Sequence, residues 1–296
     1  MLQRLLSTIV LWLTFIGLLR WLGRPAAVGF ATVMAVLTQH EFYGMLQRMG
    51  HRPFRKLGLI LGATMILGPY AARTLPHLTN QPAWLHELYL RFGDSPQLMG
   101  SLVALAVIIC SLRILYERDP AQRVETLSAT LFGIIYVPFM LHFLVEIFFL
   151  PVGPNVGLML VVWLVAVAKF CDVGALVIGT AFGRHKMAPS ISPKKSWEGL
   201  IGGVACSALV GAGLVAWLPQ LYPAAFTPLV SALAAVPIAL LAVVSDLVES
   251  MIKRRADLKD SGRSVPGIGG AFDLTDSVIL TAPAAYWIFA GLVWQP

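Results

Sequence analysis

The segment that decides the fold class runs from Phe226 to Glu249 and reads FTPLVSALAAVPIALLAVVSDLVE. It is apolar over a length that would cross the hydrocarbon core of a bilayer as an α-helix, which takes about 20 residues. Its charged residues, Asp246 and Glu249, stand near its carboxyl end. A membrane protein keeps such groups near apolar spans only where they are paired, hydrated or used. The segment therefore predicts a transmembrane helix that leads into a polar site.

Comparable apolar runs recur along the whole chain. We expect nine spans, at about 5–22, 26–47, 57–75, 97–114, 124–149, 155–178, 197–218, 226–249 and 277–294. Hydrophobic residues make up 57% of the 296 and charged residues only 12%, whereas a soluble domain is about 25% charged. The predicted fold is thus an all-α polytopic integral membrane protein with about nine transmembrane helices. We expect one membrane domain, with N-terminal transmembrane helices in 1–150 and a C-terminal catalytic region with two cytoplasmic motif loops in 151–296.

The distribution of Lys and Arg predicts the orientation of the chain. With a cytoplasmic N-terminus, 17 of the 22 cations fall in segments on the cytoplasmic side and four on the other, while Lys169 falls within a span. Cytoplasmic loops of membrane proteins carry the excess of Lys and Arg. We therefore expect a multi-pass protein of the cytoplasmic membrane with its N-terminus inside. Its first span is expected to be an uncleaved anchor.

A polar helix face is predicted where the span 226–249 ends. Asp246, Glu249, Ser250, Lys253 and Arg254 recur at helical spacing, so that one face carries them all. Glu249 and Lys253 form an i,i+4 pair, and an intrahelical ion pair explains Glu249 as well as a functional role does. Asp246 has Ser250 four residues further on, which cannot neutralise it. A functional role is therefore favoured for Asp246.

The loop after this helix combines charges with glycines. Lys259 and Asp260 come first, and Gly269 and Gly270 follow near its end. Glycine lets backbone N–H groups approach an anion closely, although tight turns between spans have similar sequences. The loop is therefore a candidate phosphate-binding segment.

Two further carboxylates, Asp273 and Asp276, stand just before the last predicted span. Aspartate in a first helical turn is also common as a cap or as a partner of the helix dipole. Together with Asp246 the two residues fit a site for a hard cation. Mg²⁺ prefers oxygen ligands and binds through one or two carboxylates together with substrate phosphates.

A second polar stretch runs from Asp172 to Gly199. Asp172 is costly in its apolar surroundings, so either Lys169 neutralises it from three residues away or it has a function. Ser196 is the predicted N-cap of the next helix. The remaining candidates are cations that could hold phosphate: Arg184, Lys186, Lys194 and Lys195.

Both stretches resemble the phosphatidate cytidylyltransferases, also called CDP-diacylglycerol synthases. The late signature of that family has the form S-x-x-K-R-x4-K-D-x-G-x3-P-G-H-G-G-x2-D-R-x-D. The matching residues are Ser250, Lys253, Arg254, Lys259, Asp260, Gly262, Pro266, Gly267, Gly269, Gly270, Asp273 and Asp276. The earlier pattern, D-x-G-A followed by G-x3-G-[KR]-[HT]-[KP] and I-S-P-K-K-[ST]-W-E-G, is matched from Asp172 to Gly199. Two positions depart from the late signature: Ile268 stands where the family has His, and Leu274 stands where it has Arg.

The resemblance implies transfer of a cytidylyl group from CTP to phosphatidate, giving CDP-diacylglycerol and pyrophosphate for phospholipid synthesis. It implies that Asp246 and Asp273 are ligands of Mg²⁺, with Asp276 nearby for a second cation such as K⁺. The catalytic residues that it implies are Asp246, Lys253, Arg254, Lys259, Asp260 and Asp273. The residues implied to bind substrate or cofactor are Asp172, Arg184, Lys186, Lys194, Lys195, Ser250, Gly269 and Gly270. The implied partners are CTP, phosphatidate and membrane lipid, with no nucleic acid, and the implied assembly is a homodimer.

Two other functions would use related residues. Another CTP-using membrane lipid enzyme, such as a polyprenol kinase or a cytidylyltransferase for a different lipid phosphate, would share the cations and the metal site. An ion-coupled transporter would use Asp172 and Asp246 for its coupling ions. Transporters often carry inverted repeats, whereas this sequence shows no such repeat, and transport leaves the phosphate-type loops unexplained.

Overall fold

The computed structural model describes residues 23–74, 96–117, 122–262 and 269–293, together with Gly17, Pro82, Ala83, Glu87 and Ser264. The helices in this part of the chain are α1 (Arg24–Arg48), α2 (Arg55–Thr74), α3 (Pro96–Leu115), α4 (Arg123–Ile134), α5 (Met140–Phe148), α6 (Pro154–Phe182), α7 (Trp197–Trp217), α8 (Pro228–Arg255), α9 (Ala271–Ile279) and α10 (Thr281–Val293). A π-helical turn, Ile135–Phe139, joins α4 to α5, and a 3₁₀ turn, Pro219–Leu221, lies between α7 and α8.

Six helical stretches in the described ranges are long and apolar enough to cross a membrane. They are Gln97–Leu115, Arg123–Phe148, Asn155–Phe182, Trp197–Trp217, Pro228–Arg255 and Ala271–Val293. They match the last six predicted spans, which confirms an all-α, multi-pass membrane protein. The predicted spans at 26–47 and 57–75 form α1 and α2, but neither helix meets the same combined criterion of length and apolarity. The predicted span at 5–22 lies outside the described residues apart from Gly17, so the count of nine stays a prediction.

The chain divides into two compact units. Unit 1 comprises Met1–Val145 and Ser261–Phe272, and unit 2 comprises Glu146–Asp260 and Asp273–Pro296. The stretch 261–272 therefore belongs with the N-terminal helices, although it follows them in sequence by more than a hundred residues.

In unit 1 the helices approach one another around the fully buried Tyr43 of α1. Its ring lies against Gly58 of α2 and Gly133 of α4, where any Cβ atom would overlap it. The Tyr43 hydroxyl donates to the backbone carbonyl of Thr130 at 2.8 Å and accepts from Nε2 of Gln39 at 3.1 Å. Because buried polar groups cost free energy unless they are hydrogen-bonded, this network fixes how the three helices meet.

In unit 2 small residues let α6 and α7 approach closely. A Cβ at Gly174 would lie 2.5 Å from Cβ of Cys206 and 2.8 Å from the carbonyl oxygen of Gly202. A Cβ at Gly203 would lie 2.7 Å from the carbonyl oxygen of Cys171. Close backbone packing through small residues is a main source of helix association in a bilayer, where lipid tails are as apolar as leucine. The pair α6–α7 is thereby held as one rigid element.

A short antiparallel hairpin, β1 (Lys186–Ala188) and β2 (Ser192–Ser196), occupies the predicted loop between α6 and α7. Lys186 pairs with Ser196, and Ala188 with Ser192. Oγ of Ser196 accepts the backbone N–H of Gly199 at 3.2 Å, which confirms the predicted N-cap. Strand β2 therefore runs directly into α7, and the hairpin is anchored to that helix.

Helix α8 carries the predicted polar face at its C-terminal end. It begins with Pro228 after the N-cap Thr227, whose hydroxyl accepts the N–H of Val230 at 3.3 Å. Its last turn contains Lys253, Arg254 and Arg255, where positive charge is favoured by the helix dipole. This arrangement brings the carboxylates of α8 close to its own cations.

Candidate active site

Helix α8 presents Asp246, Glu249, Ser250 and Lys253 on one face, as the helical spacing predicts. Glu249 is almost fully buried, whereas Asp246 is half-buried. The Ser250 hydroxyl donates to Oδ1 of Asp246 at 3.4 Å, a long hydrogen bond. The face therefore begins with a carboxylate that retains access to solvent and continues into a buried one.

Helix α9 adds two carboxylates to this face. Asp273 accepts a hydrogen bond from Nζ of Lys253 at 2.8 Å, and Asp276 is buried. The backbone carbonyl of Asp276 also accepts a hydrogen bond from the hydroxyl of Ser245. The Lys253–Asp273 ion pair and the Ser245–Asp276 hydrogen bond thus join α8 and α9 around the acidic groups.

Three carboxyl groups form a cluster, which we call the carboxylate cluster: Asp246, Glu249 and Asp276 each offer an oxygen, and these oxygens lie within 4.8 Å of one another. The sequence predicted Asp246, Asp273 and Asp276 as the metal ligands. The structure brings Asp246 and Asp276 together with Glu249, and it places Asp273 on Lys253 at the edge of the cluster. A donor set of carboxylate oxygens alone fits a hard divalent cation such as Mg²⁺.

Three lysines border the carboxylate cluster. Nζ of Lys195 lies 2.6 Å from Oδ2 of Asp246, and Nζ of Lys169 lies 3.0 Å from Oδ1 of Asp276. Nζ of Lys253 lies 2.8 Å from both Glu249 and Asp273. Each member of the cluster therefore has an ammonium partner, which lowers the cost of keeping it among apolar spans.

Of the two ion pairs that the sequence suggested, the structure contains one, between Glu249 and Lys253, and replaces the partner in the other. Glu249 and Lys253 do form the i,i+4 ion pair, but the same ammonium group also reaches Asp273. Lys169 pairs with Asp276 of α9 rather than with Asp172. Within the described ranges, Asp172 makes no hydrogen bond or ion pair, and it lies in electrostatic range of Lys169, Asp276 and Asp246.

With Asp172 included, the site contains more carboxyl groups than lysines. With Asp172 and Asp273 added to the carboxylate cluster, five carboxyl groups stand against three lysines. A divalent cation would balance that excess, which is a second reason why the donor set fits Mg²⁺.

The other predicted site residues of unit 2 lie on its surface. Arg254, Lys259 and Asp260 are exposed at the end of α8 and beyond it, and Arg184, Lys186 and Lys194 are exposed on and beside the hairpin. Lys194 and Lys195 are adjacent in β2, and within the described part of the chain Lys195 is the one of the two that reaches a carboxylate. The side chains of these six charged residues are accessible to solvent, and the five cations among them could meet a soluble anion.

His185 is held by a residue of the next helix. Its Nδ1 lies 2.5 Å from Oε1 of Glu198, and its backbone N–H points to the same carboxylate. The backbone N–H of Arg184 lies 3.2 Å from Oε2 of Glu198. Glu198 therefore fixes the backbone that presents the exposed Arg184 and Lys186.

Comparison with known proteins shows the family to which the chain belongs. The family model described as the cytidylyltransferase family matches residues 2–292. The chain belongs to the cytidylyltransferase family. A relative from Mycobacterium bovis, named phosphatidate cytidylyltransferase, is 34% identical over 212 residues, which is 66% of this chain and 66% of that protein. Relatives of the same name from Synechocystis sp. and Thermotoga maritima are 29% and 28% identical, over 98% and 79% of this chain and 97% and 87% of their own lengths.

The mycobacterial relatives are matched over slightly less than two thirds of their own length, since the proteins of Mycobacterium bovis and Mycobacterium tuberculosis are covered to 66% and 61%. The family match nevertheless extends over both units of this chain. Of the two departures from the family signature, Leu274 is half-buried in α9, next to Asp273. Ile268 lies outside the described residues.

The two glycines that were predicted to hold phosphate lie in unit 1, and Gly270 contacts a carboxylate of the protein itself. Gly269 has a φ of 135°, a conformation that glycine adopts readily. Gly270 lies against Glu41 of α1, which accepts the backbone N–H groups of Ala271 and Phe272 at 3.0 Å each. Glu41 was not among the predicted site residues, although a carboxylate inside the predicted span 26–47 is itself a signal of function.

Proposed function

We propose that this protein is a phosphatidate cytidylyltransferase, which transfers the cytidylyl group of CTP to phosphatidate and so forms CDP-diacylglycerol and pyrophosphate. The observation that carries the proposal is the carboxylate cluster, bordered by Lys169, Lys195 and Lys253, among helices long enough to cross a membrane. A lipid substrate and a soluble nucleotide both have to reach such a site. Relatives that carry this enzyme name in several bacteria support the same reaction.

The reaction joins two anions and needs no strong base. A phosphate oxygen of phosphatidate, already charged at neutral pH, forms a bond to the α-phosphorus of CTP. The bond from that phosphorus to the bridging oxygen of the β-phosphate breaks, and its electron pair leaves with pyrophosphate. Because no proton has to be removed, the contribution of the protein is to position both anions and to stabilise charge.

The residues divide this work between them. Asp246, Glu249 and Asp276 would hold Mg²⁺, with Asp273 beside them, and K⁺ is a candidate second cation at Asp276. Mg²⁺ supplies charge stabilisation on phosphoryl oxygens when it is bound. Lys195 and Lys253 orient the carboxylates that they contact. The exposed cations would attract the triphosphate and the lipid phosphate: Arg184, Lys186, Lys194, Arg254 and Lys259.

The orientation and the assembly belong to the same proposal. The distribution of Lys and Arg supports a cytoplasmic N-terminus and a site that opens to the cytoplasm of a bacterial cell, where CTP is available. The membrane is then the cytoplasmic membrane, and the family resemblance supports a homodimer.

Turnover by the purified protein in detergent tests the function. CTP labelled at the α-phosphate, phosphatidate and Mg²⁺ should give a labelled lipid in the wild type and none in Asp246→Asn or Asp273→Asn. Asp257→Asn is the matched control, because Asp257 is an exposed residue with a φ of 54°, a conformation that asparagine also tolerates. A folded, monodisperse wild type that gives no labelled lipid, even with K⁺ added, would exclude the proposed reaction.

The position of the label separates the proposed function from a lipid kinase. A cytidylyltransferase moves label from the α-phosphate of CTP into lipid and releases label from the γ-phosphate as pyrophosphate. A polyprenol kinase would do the opposite and place the γ-label in the lipid. Adding other lipid phosphates as competitors in the same assay would show whether this protein, with Leu274, prefers an acceptor other than phosphatidate.

A further inference from the structure

Glu41 of α1 forms an unusually complete set of contacts with the stretch 261–272. Its Oε2 accepts the hydroxyl of Ser261 at 2.9 Å and the N–H of Phe272 at 3.0 Å. Its Oε1 accepts the hydroxyl of Ser264 at 2.5 Å and the N–H of Ala271 at 3.0 Å. Each oxygen thus receives one hydroxyl and one amide donor, all from residues more than two hundred positions away in sequence.

Two glycines make room for this carboxylate. A Cβ at Gly262 would lie 2.6 Å from Cδ of Glu41, and a Cβ at Gly270 would lie 2.7 Å from the backbone nitrogen of Gly262. A side chain at either position would therefore displace the carboxylate of Glu41 from these hydrogen bonds. The carboxylate of Glu41 thus explains why glycine stands at positions 262 and 270.

The two amides that Glu41 accepts are the first two of helix α9. The first N–H groups of a helix have no partner inside it, and a negative charge at that end is favoured by the helix dipole. The carboxylate of Glu41 therefore favours a helix that starts at Ala271. Phe272 is held at the same point, with its ring centroid 5.8 Å from that of Phe42.

The start of α9 determines the direction in which its carboxylates point. Asp273 and Asp276 lie in the first two turns of this nine-residue helix. If the N–H groups on Glu41 were those of residues one position along the chain, the helix would slip in register and these side chains would turn by about 100° around its axis. We propose that Glu41 is a positioning residue, which sets the start of α9 and thereby the placement of Asp273 and Asp276 for the metal ion. The inference rests on the proposed metal site and adds a residue far from it in sequence.

The test compares Glu41→Gln with Glu125→Gln, a matched change at an exposed glutamate of α4. Two readouts need no turnover: hydrogen exchange of the segment 261–276 without metal, and Mn²⁺ affinity from the spectroscopic signal of the free ion. In Glu41→Gln we expect exchange of this segment to rise about tenfold or more, because an amide group cannot accept all four bonds. We expect the Kd for Mn²⁺ to rise by about tenfold as well, within the 10–100-fold range of outer-shell losses. Glu125→Gln should change neither.

Turnover supplies a third readout, which is independent of the first two. Saturating Mg²⁺ should restore kcat of Glu41→Gln to within about threefold of the wild type, because the ligands themselves are unchanged. If Glu41→Gln does not fold, Ser264→Ala removes a single exposed donor and should shift exchange and Mn²⁺ affinity in the same direction by about threefold. If a folded Glu41→Gln protein shows the same hydrogen exchange and the same Mn²⁺ affinity as the wild type, the proposal is overturned. A wild type that binds Mn²⁺ but makes no product would count only against the proposed reaction.

Discussion

Nζ of Lys195 on strand β2 lies 2.6 Å from Oδ2 of Asp246 on helix α8, so a hairpin residue holds a carboxylate of the candidate active site. Both side chains are mostly buried, with 21% and 24% of their surfaces exposed. An ion pair in such surroundings is less screened by solvent than a surface pair. The hairpin is therefore part of the site and not only a connection between α6 and α7.

Replacing Lys195 by Gln should lower kcat by roughly 100-fold, because Asp246 loses its cation and the developing charge loses a stabilising group. Lys194→Gln should act differently and raise KM for CTP several-fold with little change in kcat, since its exposed side chain would act in binding. The measurement is steady-state kinetics with CTP as the varied substrate. Lys56→Gln, at an exposed position of α2 outside the site, is the control. Equal effects of the two neighbouring lysines would contradict the division of roles.

Removal of divalent metal should abolish turnover reversibly. Chelation with EDTA is expected to stop product formation, and excess Mg²⁺ should restore it. Glu249→Gln should need about tenfold more Mg²⁺ for half-maximal activity, because one of the three clustered carboxylates becomes neutral. An unchanged Mg²⁺ requirement in this variant would show that Glu249 serves only as the partner of Lys253.

The glycine contact between α6 and α7 should be sensitive to a single methyl group. Gly174→Ala places a Cβ 2.5 Å from Cβ of Cys206, so the two helices must separate. Overpacking of this kind costs about 1–3 kcal/mol, and the thermal midpoint in detergent should fall by several degrees. Gly213→Ala in α7 is the matched control, since a Cβ there meets nothing within 4 Å. That change should be neutral or slightly stabilising, because alanine is the better helix former.

The buried hydroxyl of Tyr43 should contribute to the stability of unit 1. Tyr43→Phe leaves Nε2 of Gln39 with one partner fewer and removes the donor to the carbonyl of Thr130. A loss of about 1–2 kcal/mol is expected, the usual cost of leaving buried polar groups incompletely satisfied. Thermal denaturation of the variant beside Tyr116→Phe, which removes a hydroxyl from a side chain that is 82% exposed, measures the difference. Equal midpoints for the two variants would mean that water satisfies the Tyr43 site.

Contacts within one helix were predictable from the sequence. The spacing of Asp246, Glu249 and Lys253 placed them on one face, and the Ser196 N-cap followed from residue type and position. Both predictions depend on backbone geometry that repeats over a few residues. The six later spans were likewise predictable, because each is a continuous apolar run.

Contacts between distant segments were not predictable in this way. Lys169 has Asp172 three residues away, but its ammonium group lies on Asp276, a residue of another helix. Glu41 meets the loop before α9 through contacts that no local pattern encodes. The sequence predicted that Gly270 lies beside an anion, but it could not show that this anion is the carboxylate of Glu41. Tertiary packing decides such partners, and a single sequence holds no signal for it.

The direct junction of β2 with α7 has a consequence for how the hairpin can vary. Lys195 immediately precedes the N-cap Ser196, so its reach to Asp246 is tied to the start of that helix. Gain of one residue between Lys195 and Ser196 would move the ammonium group away from Asp246 while leaving both residue types in place, whereas the turn at 189–191 lies at the other end of β2. The hairpin should therefore accept changes of length in its turn far more readily than at its junction with α7.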